Sequence, residues 1–400
     1  MAVPDWIWFV FIFAFGCCIG SFLNVVIYRL PRDQSLVKPP SACPACGRHI
    51  RFYDNIPLIS WLLLGAKCRY CKAPISPRYF VIELLTGLVF TALFTVYFRT
   101  SLRAGMPLFL DGGWFIYLIS LIFSAALIAA STIDLQLWVI PVSICWFVTI
   151  VGLIGSALAA YIIDPALIRG YAFFPTTSTF FFKEDTIASL ASGAAIGLAI
   201  TWPLLATGLI KRSYESDEPN NSESEPISST TEYLPQATTH KSPINHRLEM
   251  SKEVIFLLPI IICSLAVFYI IRKNPTIHSC WLNVSQHPAI AGLLGSLWGY
   301  FVGCGIVWAT RILGTLGFGK EAMGLGDVHL LGAAGAVVGW GPVVIAFFIA
   351  PFFGLAWASL QMFFKKSRQI PYGPFLSLAV FTVMIFHDKI FSRLIGLFYQ

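Results

Sequence analysis

Residues 6–28 of this chain read WIWFVFIFAFGCCIGSFLNVVIY, an apolar stretch without a single charged side chain. A helix needs about 20 such residues to cross a hydrocarbon layer roughly 30 Å thick. Similar stretches recur along the chain, which is 57% hydrophobic and 12% charged, with a mean hydropathy of +0.74. Because lipid tolerates only helices and closed barrels, and no alternating barrel pattern is present, the sequence predicts an all-α polytopic membrane protein.

The apolar stretches predict 8–10 transmembrane helices. Ten candidate spans cover residues 6–28, 79–98, 114–133, 139–160, 187–210, 254–271, 289–311, 328–344, 345–363 and 374–392. The eighth and ninth are the hardest to separate, because Gly339, Gly341 and Pro342 interrupt one long apolar run. No basic segment precedes the first span and no small-residue cleavage site follows it. This pattern indicates a retained helix with its N-terminus outside.

Basic residues are concentrated in the segment 29–78, which holds nine Lys/Arg against Asp33 and Asp54. The positive-inside rule therefore places this segment in the cytoplasm. Alternate threading from there also places Lys211 and the basic run 365–368 inside. The net charge of +7 is explained by these loops. We therefore expect membrane lipid, and not nucleic acid, to be the partner of the basic residues.

The composition divides the chain into five parts. They are the first span (1–28), a small cytoplasmic loop domain (29–78), spans carrying Asp134 (79–160), a segment with two spans (161–288) and spans carrying Asp327 (289–400). Within the fourth part, residues 213–250 are mostly Ser, Thr, Asn, Pro and Glu, which predicts a disordered cytoplasmic loop. A plain linker is favoured there over a binding tail.

Small residues recur four positions apart in two of the predicted spans. Gly193 and Gly197 form one such pair, and Gly299 and Gly303 form the other. Small residues at this spacing let helix backbones approach closely in lipid. Both pairs therefore predict close helix packing.

Four cysteines of the segment 29–78 form two CxxC motifs, Cys43-Pro-Ala-Cys46 and Cys68-Arg-Tyr-Cys71. This spacing predicts a tetrahedral zinc site with all four as ligands. Such a site has no open coordination position, so the zinc would be structural and not hydrolytic. The alternatives are four unligated thiols, another thiolate-binding ion, or a zinc ribbon that binds nucleic acid. Tethering of the loop to the bilayer at both ends argues against the last.

Two aspartates lie at the ends of predicted spans. Asp134 ends the third span, and Asp327 opens the eighth within Gly324-Leu-Gly-Asp327. A carboxylate at membrane depth costs about 2.5–3.5 kcal/mol, so it needs a partner or a function. In the expected topology both lie at cytoplasmic ends. Two carboxylates brought close share a proton, and one can activate water while the other protonates a scissile carbonyl.

Alternatives to this catalytic pair remain for each aspartate taken singly, because either could cap a neighbouring helix or meet the headgroups. No Ser/His/Asp set, HExxH motif or phosphate loop competes as an active site. Glu83 is the other acidic residue near a span, and it could pair with Arg78 or another cytoplasmic base. Glycines at 324 and 326 leave room for a substrate strand to approach the backbone.

The order of these motifs resembles the bacterial prepilin peptidases, also called type IV leader peptidases. The resembling stretches are Gly20-Ser-Phe-Leu-Asn-Val-Val-Ile-Tyr-Arg-Leu-Pro31, Tyr53-Asp-Asn-Ile-Pro57, Ser76-Pro-Arg-Tyr79, Glu83-Leu-Leu-Thr-Gly87, Lys320-Glu-Ala-Met-Gly-Leu-Gly-Asp327 and Gly373-Pro-Phe-Leu376. With the CxxC motifs and Asp134, they cover residues 16–160 and 289–380. Two departures are His329, where the family usually has Lys, and the segment 161–288, which exceeds the usual family length.

The resemblance implies an aspartyl endopeptidase with Asp134 and Asp327 as its catalytic pair and zinc in the cysteine loop. Such enzymes remove leader peptides from type IV prepilins or pilin-like secretion subunits at the cytoplasmic face of the inner membrane. Many also methylate the new N-terminus with S-adenosylmethionine, and a bifunctional enzyme is expected here. No glycine-rich fingerprint locates the site for that cofactor.

Two other readings stay open. The chain could be a GxGD intramembrane protease that cuts other transmembrane substrates, or an inactive homologue that acts in assembly. The cysteine loop and the Tyr53–Pro57 motif favour a leader peptidase over the first. The presence of both aspartates argues against the second.

Overall fold

The computed structural model describes residues 5–100, 102–103, 108–163, 184–210, 213–214, 246–363 and 371–398. Their helices are α1 (Asp5–Arg29), α2 (Ile59–Leu63), α3 (Pro77–Phe98), α4 (Gly113–Leu137), α5 (Val142–Ile162), α6 (Glu184–Ala206), α7 (His246–Lys273), α8 (Pro275–Ser285), α9 (Pro288–Phe318), α10 (Leu325–Val338), α11 (Trp340–Phe363) and α12 (Gly373–Phe398). Within these ranges, nine helices are long and apolar enough to cross a membrane. The prediction of an all-α polytopic membrane protein is confirmed.

The predicted eighth span, residues 328–344, is wrong. The structure has the shorter α10 of 14 residues, and the next helix begins at Trp340. At 1.5 Å per residue α10 is about 21 Å long, which is less than the thickness of a hydrocarbon core. It ends at Gly339, whose φ of 87° is a backbone conformation that glycine adopts without strain.

The segment between α5 and α9 also differs from expectation. α7 begins at His246, inside the segment 213–250 that was expected to lack structure, and Met250 on this helix is buried. The connection between the predicted sixth and seventh spans, 254–271 and 289–311, contains α8. The remainder of the predicted disordered loop, residues 215–245, lies outside the described residues.

α10 occupies the centre of the described helices, where it packs against α4, α5, α9, α11 and α12. Small residues such as Ala334 and Ala336 are fully buried on it, together with Leu331. Lipid tails are as apolar as leucine, so helix association in a membrane depends on close van der Waals packing. The small side chains of α10 allow that packing on every side.

The helices α9 and α10 approach each other closely. A Cβ atom added to Gly299 would overlap the carbonyl of Gly335, and a Cβ added to Gly335 would overlap the carbonyl of Gly299. Gly303 meets Leu331 of α10 in the same way. The predicted packing role of the pair Gly299 and Gly303 is confirmed.

The other predicted pair packs α6 against α7. A Cβ atom on Gly193 would lie 2.6 Å from the carbonyl oxygen of Cys263, and one on Gly197 would lie 2.5 Å from the Cα of Ile260. Both distances are far inside van der Waals contact. The helices α6 and α7 therefore pack closely against each other, as the spacing predicted.

A methyl group at the α9–α10 contact should destabilise the protein. We expect Gly335→Ala to lower the free energy of unfolding by about 1–3 kcal/mol, because the helices must separate. Gly305→Ala is the matched control on α9, since an added Cβ there meets nothing within 4 Å. It should raise stability by about 0.5–1 kcal/mol, the helix-propensity gain of alanine over glycine. Unfolding by SDS in mixed micelles measures both, and equal effects would contradict the packing described.

Candidate active site and cysteine cluster

Asp134 lies in the last turn of α4, and it is only 6% exposed. Its Oδ2 accepts a hydrogen bond of 3.2 Å from the backbone N–H of Gly373, the first residue of α12. Helix N-termini attract negative charge, so this contact suits a carboxylate. Asp134 therefore neither faces the headgroups nor caps the following helix α5. It joins α4 to a helix far away in the chain.

Asp327 lies in the first turn of α10 and is 8% exposed. Its carboxylate faces the backbone of Gly324, the N-cap residue of the helix. Asp327 and Asp134 are close enough to interact electrostatically. The structure thus brings the two predicted site residues together, although they belong to different parts of the chain. His329 is half-buried on the same helix.

Ile140 fills the space between the segments that carry the two aspartates. It follows α4 and is 7% exposed. A Cβ atom on Gly326 would lie 2.9 Å from Ile140 Cβ, and one on Gly373 would lie 2.6 Å from Asp134 Oδ2. Both positions therefore require glycine for close approach. The space at Gly326 that was expected to admit a substrate strand is filled by Ile140.

Gly324, by contrast, is exposed. The nearest atom to an added Cβ there is Asp327 Oδ2 at 3.7 Å. Of the two glycines expected to admit a substrate strand, Gly324 is the one whose backbone is open beside a carboxylate.

The four predicted zinc ligands also meet. The sulfur atoms of Cys43, Cys46, Cys68 and Cys71 all lie within 4.8 Å of one another, and those of Cys43 and Cys71 are 3.8 Å apart. A tetrahedral ion with Zn–S bonds of about 2.3 Å separates its sulfur ligands by about 3.8 Å. The spacing fits, and the cluster could hold a zinc ion.

The two CxxC segments form matching turns. The N–H of Cys43 donates to the carbonyl of Arg48 at 2.9 Å, and the N–H of Cys68 donates to the carbonyl of Ala73 at 2.8 Å. Backbone hydrogen bonds, led by that from Cys71, lower the pKa of the Cys68 thiol to about 6. The thiolate is the form that binds metal. At Cys68 the local backbone therefore favours the thiolate. At Cys71 the backbone hydrogen bond from Ala73 also lowers the pKa, but desolvation and the neighbouring cysteine thiols outweigh it and raise that pKa to about 11.

The cysteine loop is attached to the membrane helices near Asp134. Glu83, for which Arg78 or another base was a possible partner, accepts the backbone N–H of Leu58 at 2.8 Å. Arg78 donates at 2.6 Å to Gln136, two positions after Asp134. These contacts place the cysteine loop and the candidate active site at the same end of the helices.

Sequence reasoning assigned no role to Gly373 or Arg311. Gly373 was noted only as the first residue of the stretch Gly373-Pro-Phe-Leu376. No residue near it in the sequence indicated that its N–H donates to Asp134. Arg311 is fully buried on α9. A signal for it existed, because an arginine inside a predicted span is costly and needs partners.

Two family models match the chain. The Bacterial Peptidase A24 N-terminal domain matches residues 14–97, and the Type IV leader peptidase family matches residues 254–359. The first range contains the four clustered cysteines and the second contains Asp327. Asp134 lies outside both ranges. No solved structure matches the chain.

Several relatives carry the name prepilin leader peptidase/N-methyltransferase. That of Myxococcus xanthus is 45% identical over 152 residues, which cover 38% of this chain and 40% of the relative. That of Burkholderia pseudomallei is 32% identical over 239 residues, 51% of this chain and 72% of the relative. That of Stutzerimonas stutzeri is 25% identical over 94% of this chain and 89% of the relative.

Some of these matches are partial. The chain spans about half the length of the first relatives that it matches, from 40% to 58%.

Loss of one cluster cysteine should remove the metal. We expect Cys46→Ser to lower zinc well below about one ion per chain, because three thiolates do not complete a structural site. Cys280→Ser is the control, since Cys280 is exposed and lies outside the cluster. Metal analysis of both purified proteins by mass spectrometry gives the result. Full zinc occupancy in Cys46→Ser would contradict the assignment of this ligand.

Proposed function

Because this chain belongs to the type IV leader peptidase family, we propose that it is an aspartyl endopeptidase that removes leader peptides from type IV prepilins or pilin-like secretion subunits. The observation that carries the proposal is the meeting of Asp134 and Asp327, two buried carboxylates from separate helices. Buried carboxylates without a cation between them are costly. Such a pair is retained where catalysis uses it.

The proposed chemistry uses the two carboxylates with opposite roles. One removes a proton from a water molecule, whose oxygen attacks the scissile carbonyl carbon. The other donates a proton to the carbonyl oxygen. Collapse of the tetrahedral intermediate breaks the C–N bond, and the leaving amine takes a proton from the pair. The hydrogen bond from Gly373 to Asp134 holds one carboxylate in place for this exchange.

We propose that the substrate approaches the site along a groove of about 300 Å³. This groove lies between the end of α1, at Leu30 and Pro31, and the α4–α5 connection, with Val139 and Pro141 in its wall. This connection leads directly from Asp134. Apolar walls suit the hydrophobic start of a membrane-inserted substrate, and Asp33 at the rim suits a basic residue.

We place the site at the cytoplasmic face of the inner membrane. The nine candidate spans make the chain a multi-pass membrane protein. The basic segment 29–78 is expected inside by the positive-inside rule. The hydrogen bond between Arg78 and Gln136 supports the same side for the end of α4 that carries Asp134.

The same protein is proposed to methylate the amine that cleavage releases. The names of the relatives include N-methyltransferase, and the cysteine loop lies beside the candidate active site. S-adenosylmethionine is the methyl donor that this reaction would use, and zinc in the cysteine cluster would stabilise the loop. Cleavage comes first, because the amine does not exist before the peptide bond is broken.

Replacing either aspartate by its isosteric amide should stop cleavage. We expect Asp134→Asn and Asp327→Asn to lower prepilin processing by about 10³-fold or more, because an amide cannot exchange the required proton. Asp111→Asn is the control. Asp111 is an exposed aspartate just before the start of α4, whereas Asp134 lies in the last turn of this helix. Leader removal is followed by gel shift and mass spectrometry. Wild-type processing by either site variant would refute its catalytic role.

Methylation should depend on cleavage. With labelled S-adenosylmethionine and prepilin, we expect label on the mature N-terminus in the wild type and none in Asp134→Asn. A pre-cleaved substrate should restore labelling by Asp134→Asn, because only the proteolytic step is lost. Absence of label on pre-cleaved substrate with the wild type would remove the methyltransferase assignment and leave the protease assignment intact.

A further inference from the structure

Arg311, near the cytoplasmic end of α9, is fully buried in an otherwise apolar helix. Its Nε donates to both carboxylate oxygens of Glu253, at 3.0 and 3.2 Å. Its Nη1 donates to Glu321 at 2.6 Å and to the carbonyl of Met323. A buried guanidinium is tolerated only when its donors are satisfied. These contacts use both sides of its planar fork.

Glu253 comes from α7, the second helix of the segment 161–288. It is 3% exposed. Besides Arg311, it accepts hydrogen bonds from Trp308 Nε1 at 2.8 Å and from Ser213 Oγ at 2.9 Å. The ring of Tyr214 covers the guanidinium at 5.5 Å. The carboxylate is thus built into a closed polar cluster, and it is not a surface group that happens to lie near Arg311.

The other partners of Arg311 belong to the connection between α9 and α10. Met323 directly precedes Gly324, where the helix that carries Asp327 is capped. The same connection is held a second time, because Thr315 Oγ accepts the N–H of Ala322 at 3.2 Å. Arg311 also interacts electrostatically with Asp327. One side chain therefore links α7, the connection and the candidate catalytic carboxylate.

From these contacts we infer that Arg311 is a positioning residue for Asp327, and that Glu253 of α7 holds it in that position. The helix α7 of the segment 161–288 is then part of the active-site framework. This inference rests on the proposed function. Arg311 is assigned no contact with the substrate. Loss of Arg311 should therefore lower kcat and leave substrate binding intact.

An ion pair that only stabilised the fold would have the same contacts. A double variant in which Arg311 and Glu253 are both replaced by neutral residues separates stabilisation of the fold from positioning of Asp327. Removing one partner of a buried ion pair is strongly destabilising, whereas replacing both by neutral groups is often tolerated. We expect Arg311→Met and Glu253→Gln singly to lower the melting temperature, and the double variant to recover most of it. The double variant lacks the hydrogen bond from Arg311 to the carbonyl of Met323. The kcat of this variant for prepilin cleavage should therefore stay about 10- to 100-fold below that of the wild type, with KM within about twofold of the wild type.

The matched control is the buried pair Arg103 and Asp388, whose Nη1 and Oδ1 atoms are 3.5 Å apart. Arg103 precedes α4 and so lies at the end of the helices opposite Asp134. The double variant Arg103→Met with Asp388→Asn should keep a wild-type kcat in full-length protein reconstituted into lipid. A wild-type kcat in the refolded Arg311→Met, Glu253→Gln variant would overturn the positioning role. A wild-type protein that leaves prepilin uncut would instead overturn the proposed function, and the inference with it.

Discussion

The close contact of the α9 and α10 backbones at Gly299 and Gly335 is the constraint on which the rest of the structure depends. No side chain fits between the two helices there. Because lipid supplies no hydrophobic force to press helices together, such contacts determine how they assemble. The short α10 is surrounded by five other helices, and its first turn sets the place of Asp327. Packing of glycine against glycine thereby determines where a carboxylate lies.

The buried ionisable side chains of this protein form hydrogen bonds with groups from distant parts of the chain. Asp134 takes an N–H from the start of α12, and Glu83 takes one from Leu58 in the cysteine loop. Arg311 has two carboxylates and a carbonyl. Each contact offsets a desolvation cost of several kcal/mol per buried ion. Each also joins two segments that apolar packing alone would leave free to slide. The polar contacts therefore fix how these helices are aligned along their axes, because the rest of their contact surfaces is apolar.

The arrangement at the end of the helices that carries Asp134 suits the two successive reactions that we propose. The cysteine loop is attached to α3 through Glu83 and reaches the end of α4 through Arg78. A peptide cut beside Asp134 would release its new amine close to this loop. Asp54 and Arg69 brace the loop, and their hydrogen bonds lower the pKa of Asp54. A loop held by the proposed zinc ion would thus lie close to the product of the proposed cleavage.

Hydropathy and motif spacing were sufficient to predict the membrane class and the meeting of the four cysteines, whereas the choice of Asp134 and Asp327 as a pair also needed the expected topology and the family resemblance. The physical reason is that helix length in lipid and CxxC geometry are local properties. Gly339, Gly341 and Pro342 indicated an interruption of the apolar run, but the sequence did not predict that α10 ends as early as Val338, because the surrounding helices decide where it ends. The partners of Glu83, Asp134 and Arg311 also came from the tertiary structure alone. A buried polar group takes whichever donor or acceptor the packed helices bring near, and that partner is encoded nowhere close to it in the chain.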